Sequence, residues 1–367
     1  MENEPARMSS PVGARATVNG RTVDYFCGTS YFGLHGHPQV IAAARDALAT
    51  YGVGTATAAW SPAHADVVEE TARYLGTETV TYVASGYLAP LVLLQALSDD
   101  YDLAFADAAS HYGILDALRA VGKDVVLFRH LDPDDLARRL ALGIHGGKRP
   151  LVVTDGVFPS TGSLAPLRAY VDALARYPKG LLCIDDAHAL GVIGETGRGS
   201  VEYHSIDTTG VYVCGTLSKA FGGAGGIVPG NEALAARVRR ASRVPSGASL
   251  PSVPDAAASA MGLRILSLHP EMRQALWTNV RLVRDGLRTL GFNLADTPIP
   301  IVSLRGRRSI NLLRVQEALA RRDILVHHAP PHGYSDSPSV ETLRVAVFST
   351  HTPEQIERLI DAVRRAV

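Results

Sequence analysis

From His64 onward the chain alternates, with little spare length, between helical periodicity and short continuous apolar runs. The pattern predicts helix 64–75, strand 79–84, helix 87–98, strand 102–106, helix 112–121, strand 124–128, helix 133–142, strand 150–154, helix 165–176, and strands 181–185, 211–215 and 225–229. Runs that are apolar at every position mark strands buried on both faces, and the helices between them are the crossovers that a parallel sheet needs. The expectation is an α/β fold with a mostly parallel central sheet covered by helices. Ligands of such sheets sit beyond the carboxyl ends of the strands, where Asp155, Asp185 and Lys219 all fall.

The flanks read differently. The polar stretch 1–14 is expected to fray, and Thr17 to Tyr25 to pair as a hairpin around Asn19-Gly20. A helix is expected over about 38–51, followed by the Gly-rich loop Tyr51-Gly52-Val53-Gly54-Thr55, which lacks the strand and third Gly of a dinucleotide fingerprint. Beyond Pro251 and Pro254, helical patterns reach Leu268 and then run from His269-Pro270 to near Leu290. The rest reads as a small α+β domain, with strands near 291–294, 299–304, 324–328 and 342–348 and helices 309–321 and 353–366. Thr352 is the expected cap of the last helix and Pro353 its first residue. The expected division is an N-terminal segment 1–45, a large domain 46–268 and a small C-terminal domain 269–367.

The 367 residues are 46% hydrophobic, enough for a sizeable core. Thirty-six basic residues balance thirty-six acidic ones, which gives no support for a nucleic-acid partner or an anionic membrane surface. Cys27, Cys183 and Cys214 have no metal-type spacing and suit a reducing cytoplasm. No apolar run has signal-peptide or bilayer length, so the expected location is cytoplasmic.

Between Gly180 and Gly230, two apolar runs each end in reactive side chains. Leu181-Leu182-Cys183-Ile184 closes on Asp185-Asp186-Ala187-His188, and Val211-Tyr212-Val213-Cys214 closes on Gly215-Thr216-Leu217-Ser218-Lys219. An acid at one strand end, a His three residues on and a Lys after the next strand are what pyridoxal 5'-phosphate (PLP) needs. The amine holds its aldehyde, the acid keeps its ring nitrogen protonated, and the His meets its phenolic oxygen. A buried carboxylate also needs a cation, which a pyridinium supplies. Asp186 competes with Asp185 for that role.

Further segments carry a family resemblance over nearly the whole chain. Tyr31-Phe32-Gly33-Leu34, Ala84-Ser85-Gly86-Tyr87, Asp107 to His111, Thr154 to Phe158, Asp185 to His188 with Gly191 to Gly194, Gly197-Arg198-Gly199, Gly215 to Lys219 and Leu343-Arg344-Val345 together resemble the α-oxoamine synthases. These are PLP-dependent enzymes of fold type I. The resemblance implies that fold, with PLP as cofactor, and makes Lys219 the Schiff-base lysine that also removes the substrate α-proton. It favours Asp185 over Asp186 for the pyridine nitrogen, because the step to His188 is three residues. His188 matches the contact to the phenolic oxygen and His111 the histidine that stacks on the ring. A lone histidine is more often a satisfied core residue, but two in matching segments reverse that preference. The backbone amides of Ser85, Gly86 and Tyr87 match the phosphate site at a helix start. Thr216 and Ser249 match hydroxyl donors, the latter reaching across a homodimer interface or, equally, a loop serine in water. Arg344 matches the arginine that grips the substrate carboxylate.

Some positions depart from the family. Thr29 stands where an Asn is usual, Ala89-Pro90 replaces Ala-Asn, Pro159 replaces a Ser, and the usual His-Gly-Thr-Gly is His188-Ala189-Leu190-Gly191. The loop Thr55 to Trp60 replaces a Gly-Ser-Arg loop at the thioester entrance. The cofactor shell thus matches more closely than the substrate shell. His327-His328 with His332 lacks recurrent ligand spacing, and Arg305-Gly306-Arg307-Arg308 reads as a solvated turn rather than a coenzyme A contact.

The implied reaction is transfer of an acyl group from a thioester, on coenzyme A or a carrier protein, to a small α-amino acid, with loss of carbon dioxide. Aldol cleavage, transamination or simple decarboxylation on the same scaffold is the enzymatic alternative. A non-catalytic subunit is disfavoured by the retained Lys219, Asp185, His111 and His188, and a nicotinamide-binding protein by the wrong context of Gly222-Gly223-Ala224-Gly225-Gly226.

Overall fold

A computed structural model describes residues 7–55, 60–306, 310–330 and 341–367. Its strands are β1 (Arg15–Val18), β2 (Arg21–Phe26), β3 (Thr79–Val83), β4 (Leu103–Asp107), β5 (Val125–Phe128) and β6 (Pro150–Asp155), then β7 (Leu181–Asp185), β8 (Val211–Thr216), β9 (Gly226–Gly230), β10 (Ile301–Arg305), β11 (Ile324–Ala329) and β12 (Thr342–Ala346). Seven form one sheet in the order β3-β9-β8-β7-β6-β4-β5. In it β4 to β8 are mutually parallel and β9 runs against both neighbours.

Successive side chains of the central strands go to opposite faces. Ala104, Ala106, Leu151, Val153 and Cys183 enter one apolar cluster, while Leu103, Phe105, Val152, Leu182 and Ile184 enter another. Neither face meets water, so these strands carry no polar alternation. Truncating the fully buried Phe105 to Ala would cost about 3–5 kcal/mol.

The helices follow their local chemistry. Ser61, Asp132, Asn231 and Thr352 each accept a backbone N–H at a helix start, and Thr352 with Gln355 forms a capping box with Pro353 in the first turn. The helices Pro38–Tyr51 and Tyr112–Val121 have the predicted bounds. Helix Glu232–Ala241 lies where the sequence predicted no element.

The second sheet has the order β1-β2-β11-β12-β10. Its β1–β2 hairpin turns on Asn19 and Gly20, both at positive φ (51° and 74°). β2 then pairs in parallel with β11, near the other end of the chain. Residues 7–14 are not frayed: Met8 bridges to Val18, and the Ser9 amide donates to the Thr17 carbonyl. No strand forms over 291–294. The carbonyls of Leu294, Ala295 and Ile299 are taken instead by the guanidinium groups of Arg288 and Arg284, on the helix Glu271–Thr289. Among the described residues no helix is long and apolar enough to cross a membrane.

Candidate active site

The ends of β6, β7 and β8 deliver Asp155, Asp185 and Thr216 to one edge of the large sheet. Between them and the turn Ser85–Tyr87, which opens the helix Ala89–Leu97, lies a cavity of about 240 Å³. Ser85, Gly86, Tyr87 and His111 line it from one side, and Asp185, His188, Thr216 and Lys219 from the other. Asp155, Ala187 and Ser218 complete the wall. The sequence had placed Asp155 at this edge without giving it a role.

Gly86 packs on the end of β8 so closely that a Cβ there would fall 2.7 Å from Cβ of Thr216. Thr216 Oγ1 donates to the Gly225 carbonyl (2.8 Å) and accepts from the Ser218 amide (3.2 Å), folding the β8–β9 loop so that Lys219 reaches the cavity wall. His35 clasps the same loop, with Nε2 3.0 Å from the Ser218 carbonyl and Nδ1 2.7 Å from Ser30 Oγ. His111 caps the helix Tyr112–Val121, and its backbone N–H donates to Asp155 Oδ2 (2.9 Å). Its ring meets that of Tyr87 edge-on at 6.3 Å, while the Tyr87 hydroxyl donates to Asp116. His188 is held through Nδ1, 2.7 Å from the hydroxyl of the fully buried Tyr31.

Burial sets the electrostatics. It pulls the Lys219 ammonium down to about 8, with Asp185 and Asp155 opposing, so a neutral, nucleophilic amine is accessible near neutral pH. It raises the Asp185 carboxyl, against the opposing pull of Lys219. It lowers both His111 and His188, the latter aided by Lys219 and Arg344. Asp186 is turned away from the cavity and accepts from the Ser200 amide (2.8 Å) and hydroxyl (2.6 Å).

Two predicted residues lie off the cavity wall. Arg344 is buried on β12, with a guanidinium N–H 3.5 Å from the Gly28 carbonyl. Ser249 sits exposed in the loop before the helix Val253–Leu268. Of the histidine cluster, His328 Nε2 meets Glu341 Oε1 at 2.5 Å and His332 lies outside the described residues, as do Arg307, Arg308 and residues 56–59 of the entrance loop. A larger cavity of about 820 Å³ opens near the amino end of β8. Its Arg198, Glu202 and Arg237 are each engaged in local hydrogen bonds.

Residues 28–363 match the aminotransferase class I and II family. The chain is 36% identical to the 8-amino-7-oxononanoate synthase of Thioalkalivibrio sulfidiphilus, over 95% of this chain and 90% of that one. It is 35% identical to that of Methylococcus capsulatus, over 98% and 93%. The chain belongs to the α-oxoamine synthase family. Solved structures agree with this family. The serine palmitoyltransferase of Sphingomonas wittichii superposes with a TM-score of 0.90 at 27% identity, covering 98% of this chain and 91% of that one. A lysine-to-alanine variant of the S. paucimobilis enzyme, solved with a bound PLP–myriocin aldimine, gives 0.91 at 27%, covering 99% and 92%. This α-oxoamine synthase is therefore a PLP-dependent enzyme of fold type I, as the sequence led us to expect.

The donor set fits PLP. Among the described contacts the Asp185 carboxylate accepts one hydrogen bond, from the Ala187 amide at 3.0 Å, which leaves it capacity for a ring N–H cation. The turn Ser85–Tyr87 offers amides at a helix start to a phosphate.

Proposed function

We propose that this α-oxoamine synthase joins a small α-amino acid to the acyl group of a thioester, on coenzyme A or a carrier protein, and releases carbon dioxide to leave an α-amino ketone. The observation that carries this reading is the convergence of Lys219, Asp185, His111 and His188 on one cavity. When bound, PLP supplies an electron-withdrawing ring that accepts the electron pair freed at the substrate α-carbon.

The chain's own groups do the rest. Lys219 Nζ would hold the cofactor aldehyde and, as a free amine, would take the α-proton. Its lowered proton affinity suits both tasks. Asp185 holds the ring nitrogen protonated. His188, oriented by Tyr31, would turn Nε2 to the phenolic oxygen and to the thioester carbonyl. His111, on the cavity wall, would lie against the cofactor ring. The amides of Ser85, Gly86 and Tyr87 and the Thr216 hydroxyl bind phosphate, and Arg344 binds the substrate carboxylate. Ser249, exposed in one chain, would complete the phosphate site of a second copy, which makes the working unit a homodimer, in the cytoplasm.

The test is to incubate the holoenzyme with single amino acids and a panel of acyl thioesters, following thiol and carbon dioxide release and the product mass. An amino ketone formed with both releases supports the reading. Turnover of amino acids with no thioester consumed would overturn it in favour of aldol cleavage, transamination or simple decarboxylation.

A further inference from the structure

Four carboxyl groups crowd the carboxyl edge of β4, β6 and β7, and two of them are committed to local structure. Asp107 accepts from the amides of Ala109 and Leu131 and lies 2.9 Å from His130 Nδ1. Asp186 is held by Ser200. The other two, Asp155 and Asp185, are register partners on adjacent parallel strands, are 3% and 7% exposed, and line the same cavity. Lys219 is the only Lys or Arg among the described residues of that lining.

Two buried carboxylates facing one ammonium leave a negative charge without a partner, and such pairs settle by keeping a proton on one member. The surroundings choose which. Asp185 feels Lys219 as its strongest counter-charge. Asp155 faces Asp185 from β7 and Asp107 from β4, with the His111 amide and a weaker pull from Lys219 on the other side of the balance. Its carboxyl is raised well above the usual range, by burial first and by Asp185 next.

We propose that Asp155 is a positioning residue of this active site: a neutral carboxylic acid whose Oδ2 anchors the His111 backbone, leaving Asp185 as the single carboxylate for the cofactor's ring nitrogen. The second half of this statement rests on the proposed role of Asp185; the first half does not. The absence of a second charge has a purpose. A second carboxylate beside Asp185 would compete for the ring proton and stabilise the Lys219 ammonium, and both effects would oppose the chemistry.

Infrared spectroscopy of the holoenzyme at about pH 8.5 tests this, with the cofactor's ring cation there to partner Asp185 and the pH above the range of Asp186, whose carboxyl burial holds near 7. The expected result is a protonated-carboxyl C=O band that shifts when aspartate carries ¹³C in the wild type and is missing from Asp155→Asn. The pH midpoint of the bound cofactor's visible absorbance should stay within about 0.3 unit in Asp155→Asn, since no charge is lost. Asp155→Ala removes the acceptor for the His111 amide, and kcat should fall by roughly tenfold, with Asp155→Asn restoring most of it. Absence of an aspartate-derived band from the wild type, or a midpoint shift of about one unit or more in Asp155→Asn, would overturn the proposal. Cofactor affinity unaffected by Asp185→Asn would instead sink the ring-nitrogen reading while leaving the Asp155 band intact.

Discussion

The hydroxyl of Tyr31 and Nδ1 of His188 lie 2.7 Å apart across 157 residues of sequence, and both groups are buried. This contact fixes which imidazole nitrogen turns toward the cavity. Tyr31→Phe keeps the ring and deletes the bond, so it should lower kcat/KM by roughly tenfold, the equivalent of about 1–1.5 kcal/mol. Steady-state kinetics beside the melting temperature would check this; a melting temperature that falls while kcat/KM holds would show that the phenol only stabilises the fold.

Lys219 makes the apoprotein's stability depend on pH. Burial lowers the folded ammonium to about 8, whereas an unfolded lysine keeps its proton up to about 10.4. Between those values the unfolded state binds more protons, so the Lys219 contribution to stability rises with pH there and its penalty is complete below about 8. Urea unfolding of the apoprotein at two pH values in that window should show a gain of order 1–3 kcal/mol that Lys219→Met lacks.

Gly86 leaves no room for a methyl group against Thr216. Gly86→Ala should displace the turn Ser85–Tyr87 and weaken cofactor binding by at least about tenfold, at a stability cost of roughly 1–3 kcal/mol. Titrating the apoprotein with PLP would measure it. An unchanged affinity would mean that the turn does not hold the phosphate.

Arg344→Lys tests the carboxylate site. Lysine keeps the charge but cannot grip two oxygens in a plane, so KM for the amino acid should rise by roughly 10- to 100-fold, with a smaller change in kcat. If KM is unmoved, the substrate carboxylate is held elsewhere.

The large sheet was legible because its strands are buried on both faces and its helices cross between them. Lys219, Asp185, His111 and His188 were legible because each sits at a strand end or just beyond it. Asp155 was visible at the same edge, but its facing Asp185 depends on which strands are neighbours, and local sequence carries no signal for that. The Tyr31–His188 bond is hidden for the same reason. Helix Glu232–Ala241 has Asn231 as a cap but buries only Leu234, Ala235 and Val238, too thin a stripe to stand out. Residues 291–294 are apolar enough for a strand, yet Gly291 turns at φ 82° and the nearby arginines take carbonyls that a ladder would use.

The parallel pairing of β2 with β11 sets Asp24 opposite Ile324. Chains grow on the ribosome at roughly 5–20 residues per second, so the N-terminal hairpin waits about 15 to 60 seconds for its partner strand to exist. Tyr31 and His35 follow β2 closely in sequence and touch His188 and the Lys219 loop. The wall of the lysine pocket is thus completed by a segment whose own sheet neighbour is translated about 300 residues later.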